Sequence, residues 1–287
     1  MKLIENQHFT GERALFNTHD AKIVNCFFSD GESPLKESSN LELDNVTFGY
    51  KYPLWYGNNH VVKNSTFLEM SRSGLWYTNN SKFISCHIIA PKEFRRCKNI
   101  SLEDIVFDDA SETLWTCDTI KLKNIQAKGD YLLKDSKNIE VENLKLDGNY
   151  AFDGCENVKV SDSILNTKDA FWNCKNVEVK NSTIIGEYFG WNSEYVTLIN
   201  CTIKSHQGFC YIKNLTLMNC KIEESDLIFE YCENIFADIN SHLDSVKNPI
   251  SGSIRCLGVN TMIRDDKDID TSKVHIVVKD GDKYREI

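Results

Sequence analysis

A short phrase of alternating apolar and polar residues recurs along the chain every 19 to 21 residues. Examples are NLELDNVTF at 40–48, NISLEDIVF at 99–107 and NVEVKNSTI at 176–184. A regular period of this length is typical of solenoid proteins, in which each repeat forms one coil that stacks on the next. Each phrase contains one polar corner residue; the corner residues are Asn25, Asn45, Asn64, Ser85, Asp104, Asn124, Asn143, Asp162, Asn181, Asn200 and Asn219.

Apolar residues flank each corner at alternate positions. In the second repeat, Leu41 and Leu43 precede Asn45, and Val46 and Phe48 follow it. This alternation predicts two short strands, each with one buried face, and a corner where the alternation restarts. A second polar column lies five residues before the corner. Asparagine suits this position because it tolerates a left-handed backbone and its amide can form hydrogen bonds to the coils above and below. The members of the column are Asn40, Asn59, Asn80, Asn99, Asn138, Asn157, Asn176, Asn214 and Asn234.

These patterns predict an all-β fold, a single-stranded right-handed parallel β-helix of about 12 coils with 19–21 residues per coil. Residues 1–240 should form the β-helix. The repeat decays after about residue 241, so residues 241–287 are predicted to form a C-terminal cap. Within that segment, 273–287 is expected to form a β-hairpin that turns near Asp280 and Gly281.

Composition excludes several classes of protein. The 287 residues carry a formal net charge of −9, which argues against a nucleic-acid-binding protein because phosphate contacts need clustered basic residues. The sequence has no run of 18 apolar residues, so no membrane helix is predicted and no membrane partner is expected. The first residues do not form a secretory signal, which predicts a cytoplasmic protein. No cofactor is expected. No metal site is expected either, because the seven histidines do not occur at the spacings typical of metal ligands.

Eight of the eleven cysteines recur at two positions of the repeat. Cys26, Cys86, Cys201 and Cys220 directly follow the corner, at a position that other coils fill with valine, isoleucine or leucine. Cys97, Cys117, Cys155 and Cys174 lie seven residues before it, where other coils carry serine or threonine. We therefore predict buried free thiols. Disulfides between adjacent coils, such as Cys97–Cys117, and metal ligation are the alternatives.

All five tryptophans share one position, nine residues before the corner. We call this position the tryptophan column; it comprises Phe16, Lys36, Trp55, Trp76, Arg95, Trp115, Lys134, Asp153, Trp172, Trp191 and Cys210. Four charged members would be costly inside a core, so the column is predicted to face solvent. The next position, the tyrosine column, includes Tyr56, Tyr77, Arg96, Asp135, Asn173, Asn192 and Tyr211.

Exposed tryptophans in a row are typical of a binding surface, and aromatic faces stack on the C–H faces of sugars. We therefore expect an oligo- or polysaccharide, or another elongated polar ligand, to bind this face. The predicted ligand-binding residues are Trp55, Trp76, Trp115, Trp172, Trp191, Tyr56, Tyr77 and Arg96. The alternative is that the indoles pack on neighbouring loops and stabilise the fold.

Several longer phrases are shared with a known group of proteins. GERALF at 11–16, KYPLWY at 51–56, SGLWY at 73–77, KDAFWN at 168–173 and GEYFGWN at 186–192 resemble an uncharacterised bacterial family within the pectin-lyase-like superfamily of right-handed β-helices. The resemblance implies the fold and leaves the function to be argued from the site. Asp108 and Asp109 form an acidic pair, but the other motifs of polygalacturonase-like relatives are absent. No three carboxylates share one position of the repeat in adjacent coils, which argues against a calcium site like that of pectate-lyase-like relatives.

Two catalytic hypotheses follow from the middle of the tryptophan column. A polysaccharide lyase needs a cation and a base, and Arg95 with Lys134 could fill these roles. A glycoside hydrolase needs two carboxylates, for which Asp135 and Asp153 are the candidates. A surface ion pair between Lys134 and Asp153 is the simpler alternative. A scaffold without catalysis, or a homo-oligomer formed through an end cap, also fits the sequence.

Overall fold

A computed structural model describes residues 1–287 as an all-β chain of stacked parallel strands. This confirms the predicted β-solenoid, although the structure has about 15 turns where the sequence predicted about 12. The chain divides into two compact units, residues 1–148 and residues 149–287. No helix is both apolar and long enough to span a lipid bilayer.

The first unit contains thirteen strands and one short 3-10 segment, Glu69–Ser71. Its strands are β1 Lys2–Glu5, β2 His8–Phe9, β3 His19–Val24, β4 Phe27–Phe28, β5 Ser39–Asp44, β6 Thr47–Phe48, β7 Asn58–Lys63, β8 Thr66–Phe67, β9 Asn79–Ile84, β10 His87–Ile88, β11 Lys98–Phe107, β12 Asp118–Lys128 and β13 Lys137–Asp147.

The second unit contains fifteen strands and a second 3-10 segment, Thr271–Lys273. Its strands are β14 Glu156–Ser161, β15 Ile164–Asn166, β16 Lys175–Lys180, β17 Thr183–Ile185, β18 Gly190–Trp191, β19 Glu194–Ile199, β20 Thr202–Lys204, β21 Phe209–Cys210, β22 Lys213–Ile222, β23 Ile235–Ile239, β24 His242–Lys247, β25 Gly252–Cys256, β26 Gly258–Ile263, β27 Val274–Asp280 and β28 Lys283–Glu286.

Equivalent residues of successive coils lie in register. β5 pairs in parallel with β3 and β7, so that Leu41 lies between Ala21 and His60. The inward positions form continuous apolar columns, including stacked phenylalanines: the ring centroids of Phe28 and Phe48 are 5.3 Å apart in the first unit. In the second unit, those of Phe152 and Phe171 are 4.9 Å apart. The apolar columns predicted from the sequence are therefore the core.

The third side of each coil, which carries the tryptophan column, is a chain of turns; only β18 and β21 are strands there. Left-handed residues punctuate it, for example Glu112, Leu114 and Thr116, with φ of 54°, 58° and 55°. A strand sends successive side chains to opposite faces, and the left-handed residue breaks that rule. As a result, two consecutive residues, such as Trp55 and Tyr56, both leave the core.

Two asparagine ladders hold neighbouring coils together. The Asn45 Nδ2 group donates to Asn25 Oδ1 at 2.8 Å in the corner column. In the second column, Asn59 Nδ2 donates to Asn40 Oδ1 at 2.8 Å. The corner residues and most members of the second column have a left-handed backbone, which asparagine adopts more readily than other non-glycine residues.

Parallel stacking continues beyond residue 241, where the sequence repeat decays. β25 pairs in parallel with both β23 and β27, and β24 pairs with β26. These coils are shorter or carry insertions, which explains why their period is hard to read and why the turn count is higher than predicted. β27 and β28 form an antiparallel hairpin closed by residues 281–282, with Asp280 opposite Lys283.

All eleven cysteines are buried and none is bridged, so their predicted positions in the core are confirmed. The Cys97 backbone N–H points at the Cys117 sulfur, 3.4 Å away on the next coil. Burial raises the pKa of the Cys86 thiol to about 11. The thiols at these positions therefore act as small core residues.

Candidate functional site

The structure places every tryptophan outside the apolar core. Trp55, Trp76, Trp115 and Trp191 are half-buried, while Trp172 is exposed, with 36% of its surface accessible. Their surroundings differ between the two units. The column is therefore described separately for each unit.

In the first unit the tryptophan column is a continuous stack. The rings of Trp55 and Trp76 are 5.5 Å apart and nearly parallel, with 13° between their planes. The Arg95 guanidinium follows, 4.9 Å from the Trp76 centroid and 4.4 Å from that of Trp115. Arg95 is thus held between two indole faces, a favourable arrangement of cation and aromatic quadrupole.

The polar groups of this stack also have partners within the unit. The indole N–H of Trp76 donates to the Lys92 carbonyl at 2.8 Å, and those of Trp55 and Trp115 donate to other backbone carbonyls. Arg95 forms a salt bridge with Glu112. The two Trp76 faces are therefore covered and its donor is satisfied, so this stack presents ring edges to solvent.

The neighbouring tyrosine column repeats the arrangement. Tyr56 and Tyr77 stack with centroids 4.7 Å apart and 1° between their planes. The Arg96 guanidinium lies 6.0 Å from the Tyr77 centroid and donates to its hydroxyl at 3.3 Å. Lys36 lies 5.6 Å from the Tyr56 ring. Cations thus lie at both ends of this pair of rings.

The remaining predicted catalytic residues of the first unit are Lys134 and Asp135. The Lys134 ammonium lies 5.2 Å from the Tyr131 centroid and 5.9 Å from that of Trp115. Asp135 is exposed and has a left-handed backbone, with φ of 53°. Arg95 and Lys134 therefore lie on either side of Trp115, at the far end of the stack.

In the second unit the column is open. Trp172 has a single ring neighbour, Tyr150, whose centroid is 6.1 Å away and whose plane is tilted by 40°. The indole N–H of Trp172 donates to no protein atom. This tryptophan therefore keeps both an accessible ring and a free hydrogen-bond donor, the two features that a polar, C–H-rich ligand can use.

Two carboxylates accompany Trp172. Asp153, predicted from the sequence to be exposed, is only 8% accessible, and so is Asp169. Burial raises the pKa of Asp169 to about 6. The positive charge of Lys168 opposes this shift, and the like charge of Asp153 adds to it. The sequence pointed to Asp153 but not to Asp169, which lies twelve residues before its corner.

Further along the second unit, Trp191 and Tyr211 pack with centroids 5.4 Å apart, and Tyr211 stacks on Tyr231 at 5.0 Å. The Trp191 indole N–H, like that of Trp172, has no acceptor in the protein. At the next positions of the column, Cys210 is followed by Glu230, a buried carboxylate that pairs with Lys247 at 2.8 Å. Buried acids therefore occupy both ends of this half of the column.

The comparisons with known proteins identify the family. A sequence profile described as "Protein of unknown function (DUF3737)" matches residues 2–277. The chain belongs to this family. No curated protein matches it. Among solved structures it is similar to the crystal structure of PfbA, a surface adhesin of Streptococcus pneumoniae, with a TM-score of 0.42 and 11% identity over 95% of this chain and 77% of the adhesin chain.

For this DUF3737 protein, the site must therefore be argued from its own residues. No three histidine, cysteine, aspartate or glutamate side chains converge in a way that could hold a metal ion. The chemistry on offer is aromatic stacking, free indole donors and carboxylates, and Trp172, Asp153 and Asp169 supply it within one unit.

Proposed function

We propose that the protein binds an oligosaccharide or polysaccharide, and that the open half of the tryptophan column in the second unit is the binding surface. One observation carries the proposal: Trp172 combines the most accessible indole in the protein with an unpaired N–H and two neighbouring buried carboxylates. Sugar rings offer a C–H face for the indole and hydroxyls for the polar groups.

The proposal narrows the surface expected from the sequence. Trp55, Trp76 and Trp115 stack on one another or on Arg95, so their faces cannot receive a sugar without dismantling the stack. We therefore assign these three indoles to stability and Trp172 to the ligand. Trp191 flanks the ligand site, since its N–H is free although its ring is partly covered by Tyr211.

A second candidate is hydrolysis of the bound glycan. It rests on the carboxylates of neighbouring coils, because glycoside hydrolysis uses one carboxylic acid and one carboxylate. Asp169, with its pKa raised to about 6, would be the acid, and Asp153 the carboxylate. This replaces the pair Asp135 and Asp153 suggested by the sequence. Lyase chemistry at Arg95 and Lys134 has weaker support, because Arg95 is held by two indoles and Glu112.

Paired alanine variants test the binding proposal. The intrinsic fluorescence of the protein should be quenched by cello-, xylo-, manno- or galacturono-hexaose. Trp172→Ala should weaken binding of the responsive hexaose at least about tenfold, with a melting temperature within a few degrees of wild type, since this side chain is exposed. Trp76→Ala is the matched control: it should cost about 2–3 kcal/mol of stability and leave affinity unchanged.

If Trp172→Ala binds as well as wild type, the surface lies elsewhere on the molecule. Incubation of wild type and Asp169→Asn with the same hexaose, followed by measurement of reducing ends and unsaturated products, tests catalysis. New reducing ends from wild type alone would support hydrolysis, whereas unsaturated products would return the assignment to a lyase.

A further inference from the structure

A second surface of the second unit carries an irregularity in the asparagine ladder. Tyr195 lies five residues before the corner Asn200, at the position that asparagine fills in most coils. It keeps the left-handed backbone of that position, with φ of 57°, although a bulky side chain fits this conformation less well than asparagine does. Its side chain is exposed, with 52% of its surface accessible.

Tyr195 breaks the chain of amide hydrogen bonds. Below it, Asn176 Nδ2 donates to Asn157 Oδ1 at 3.0 Å, and above it Asn234 Nδ2 donates to Asn214 Oδ1 at 3.2 Å. The pairing of β16 with β19 places Tyr195 directly beside Asn176. Because tyrosine has no amide, Asn176 Oδ1 receives no hydrogen bond from the coil above.

The first unit has a comparable substitution with a different outcome. Thr119 takes the ladder position there, but the adjacent Asp118 accepts the hydrogen bond of Asn138 Nδ2 at 2.7 Å. Asp118 thus replaces the threonine as the acceptor, and the Asn138 amide N–H remains hydrogen-bonded. At Tyr195 no residue takes this part: Asn214 Nδ2 has no acceptor in the coil below. This break therefore leaves both a donor and an acceptor unmet, whereas the gap at Thr119 leaves only the acceptor Asn99 Oδ1.

An open groove of about 290 Å³ lies at the break, close to the lower end of the sizes found for small-ligand sites. Tyr195, Asn157, Asn176, Lys159 and Glu178 line it. No other aromatic ring contacts Tyr195, so its phenol faces are available. Glu178 is paired with Lys180 at 2.8 Å, whereas the Lys159 ammonium makes no ion pair and can donate to a ligand.

We propose that this groove is a binding site for an N-acetylated hexopyranose, separate from the tryptophan column. The sugar ring lies against Tyr195, and the acetamido N–H donates to Asn176 Oδ1. The acetamido group is chemically the amide that the ladder lacks at this coil. Lys159 donates to a hydroxyl of the ring. The aromatic platform, the unmet acceptor and the free ammonium together select a ligand that carries a C–H face, an amide donor and hydroxyl groups.

Saturation-transfer NMR and titration with two methyl glycosides test the site. Methyl N-acetyl-β-glucosaminide should bind, and methyl β-glucoside, which lacks only the acetamido group, should bind at least about tenfold more weakly. Tyr195→Phe should keep the preference, because the ring is retained. Tyr195→Asn should lose at least about tenfold in affinity for the N-acetylated glycoside while raising the melting temperature, since the new amide completes the ladder.

Thr119→Asn is the matched control, because it adds an asparagine to the same ladder position in the first unit and should leave glycoside binding unchanged. The proposal is overturned if wild type binds neither glycoside, if it binds both equally, or if Tyr195→Asn binds like wild type. Trp172→Ala should not change this binding, so a failure here and a failure of the tryptophan-column proposal can be told apart.

Discussion

The two halves of the tryptophan column share one sequence position and have different surroundings. In the first unit, Trp76 is covered on one face by Trp55 and on the other by Arg95, and its N–H is bonded to the backbone. In the second, Trp172 has one tilted ring neighbour and an unused N–H. The members of the column that lie next to each tryptophan decide whether its indole stabilises the fold or remains available to a ligand.

Two buried carboxyl groups, Glu93 in the first unit and Asp169 in the second, show the same contrast. Glu93, fully buried in the first unit, accepts a hydrogen bond from the Gly74 backbone N–H at 2.8 Å. Asp169 in the second unit accepts none and lies near a second carboxylate, Asp153. A buried acid with backbone donors is part of the local structure, whereas one without donors is available to bind or to transfer a proton.

Removing Arg95 should give the largest change in stability. Arg95→Ala should lower the free energy of unfolding by about 2–3 kcal/mol, because it removes a cation held between two indoles and the salt-bridge partner of Glu112. Urea denaturation followed by tryptophan fluorescence measures the loss. Oligosaccharide affinity should not change.

The hypothesis drawn from the sequence expects the reverse for this variant, namely lost binding at an unchanged melting temperature. Arg95→Lys is the matched control: it keeps the charge but not the planar group that lies flat between the rings, so less than half of the stability should return. A stable Arg95→Ala protein that no longer binds glycans would move the ligand surface to the first unit.

Asp169→Asn should give a smaller effect, of opposite sign. A carboxyl whose pKa is raised on folding binds its proton more tightly in the folded state, so wild-type stability should fall as pH rises from about 4 to about 6. The neutral asparagine escapes this loss. At pH 7.5 the variant should melt a few degrees above wild type. Calorimetry at pH 4 and pH 7.5 gives the comparison, and a difference independent of pH would contradict it.

Glu93→Gln should have the smallest effect in mildly acidic solution. Burial raises the pKa of Glu93 well above its ordinary value, despite the opposing hydrogen bonds from Gly74 and Leu75. Wild type should therefore lose stability as pH rises from about 4.5 towards that raised pKa, while the glutamine variant should not. The two melting temperatures should nearly coincide at pH 5 and separate at alkaline pH. Coincidence at every pH would contradict the prediction, because it would mean that the pKa of Glu93 is the same in the folded and unfolded states.

The period and phase of the sequence are enough to predict the solenoid, its core columns, the buried cysteines and the shared position of the tryptophans. They could not reveal how the rings lie, because a residue's phase gives its side of the coil and not its rotamer. Asp153 and Glu93 show a related limit. Asp153 shares its position with residues that are mostly half-buried, yet it is buried. Glu93 lies eleven residues before its corner, at a position that most other coils fill with small or apolar residues, and its ionisable side chain gave no sign in the sequence that it is buried as well.

The sequence shows Tyr195 as a gap in the asparagine column, but it does not show whether hydrogen bonds from neighbouring residues fill that gap. Thr119 makes the same gap, and only the structure shows that Asp118 accepts the hydrogen bond of the coil above it, whereas no residue beside Tyr195 does so. An exception to a repeat therefore points to a candidate site only when the structure shows which neighbouring groups are left without hydrogen bonds.

The asparagine ladders also bear on how such a chain changes in length. Most coils offer their neighbours the same amide acceptor on one side and the same donor on the other, in the same register. Duplication or deletion of about 19 residues, from one corner to the equivalent corner, joins matching surfaces and leaves no backbone group without a partner. Genes for such proteins can therefore gain or lose whole coils, while a change of a few residues within a corner would misalign the coils on both sides.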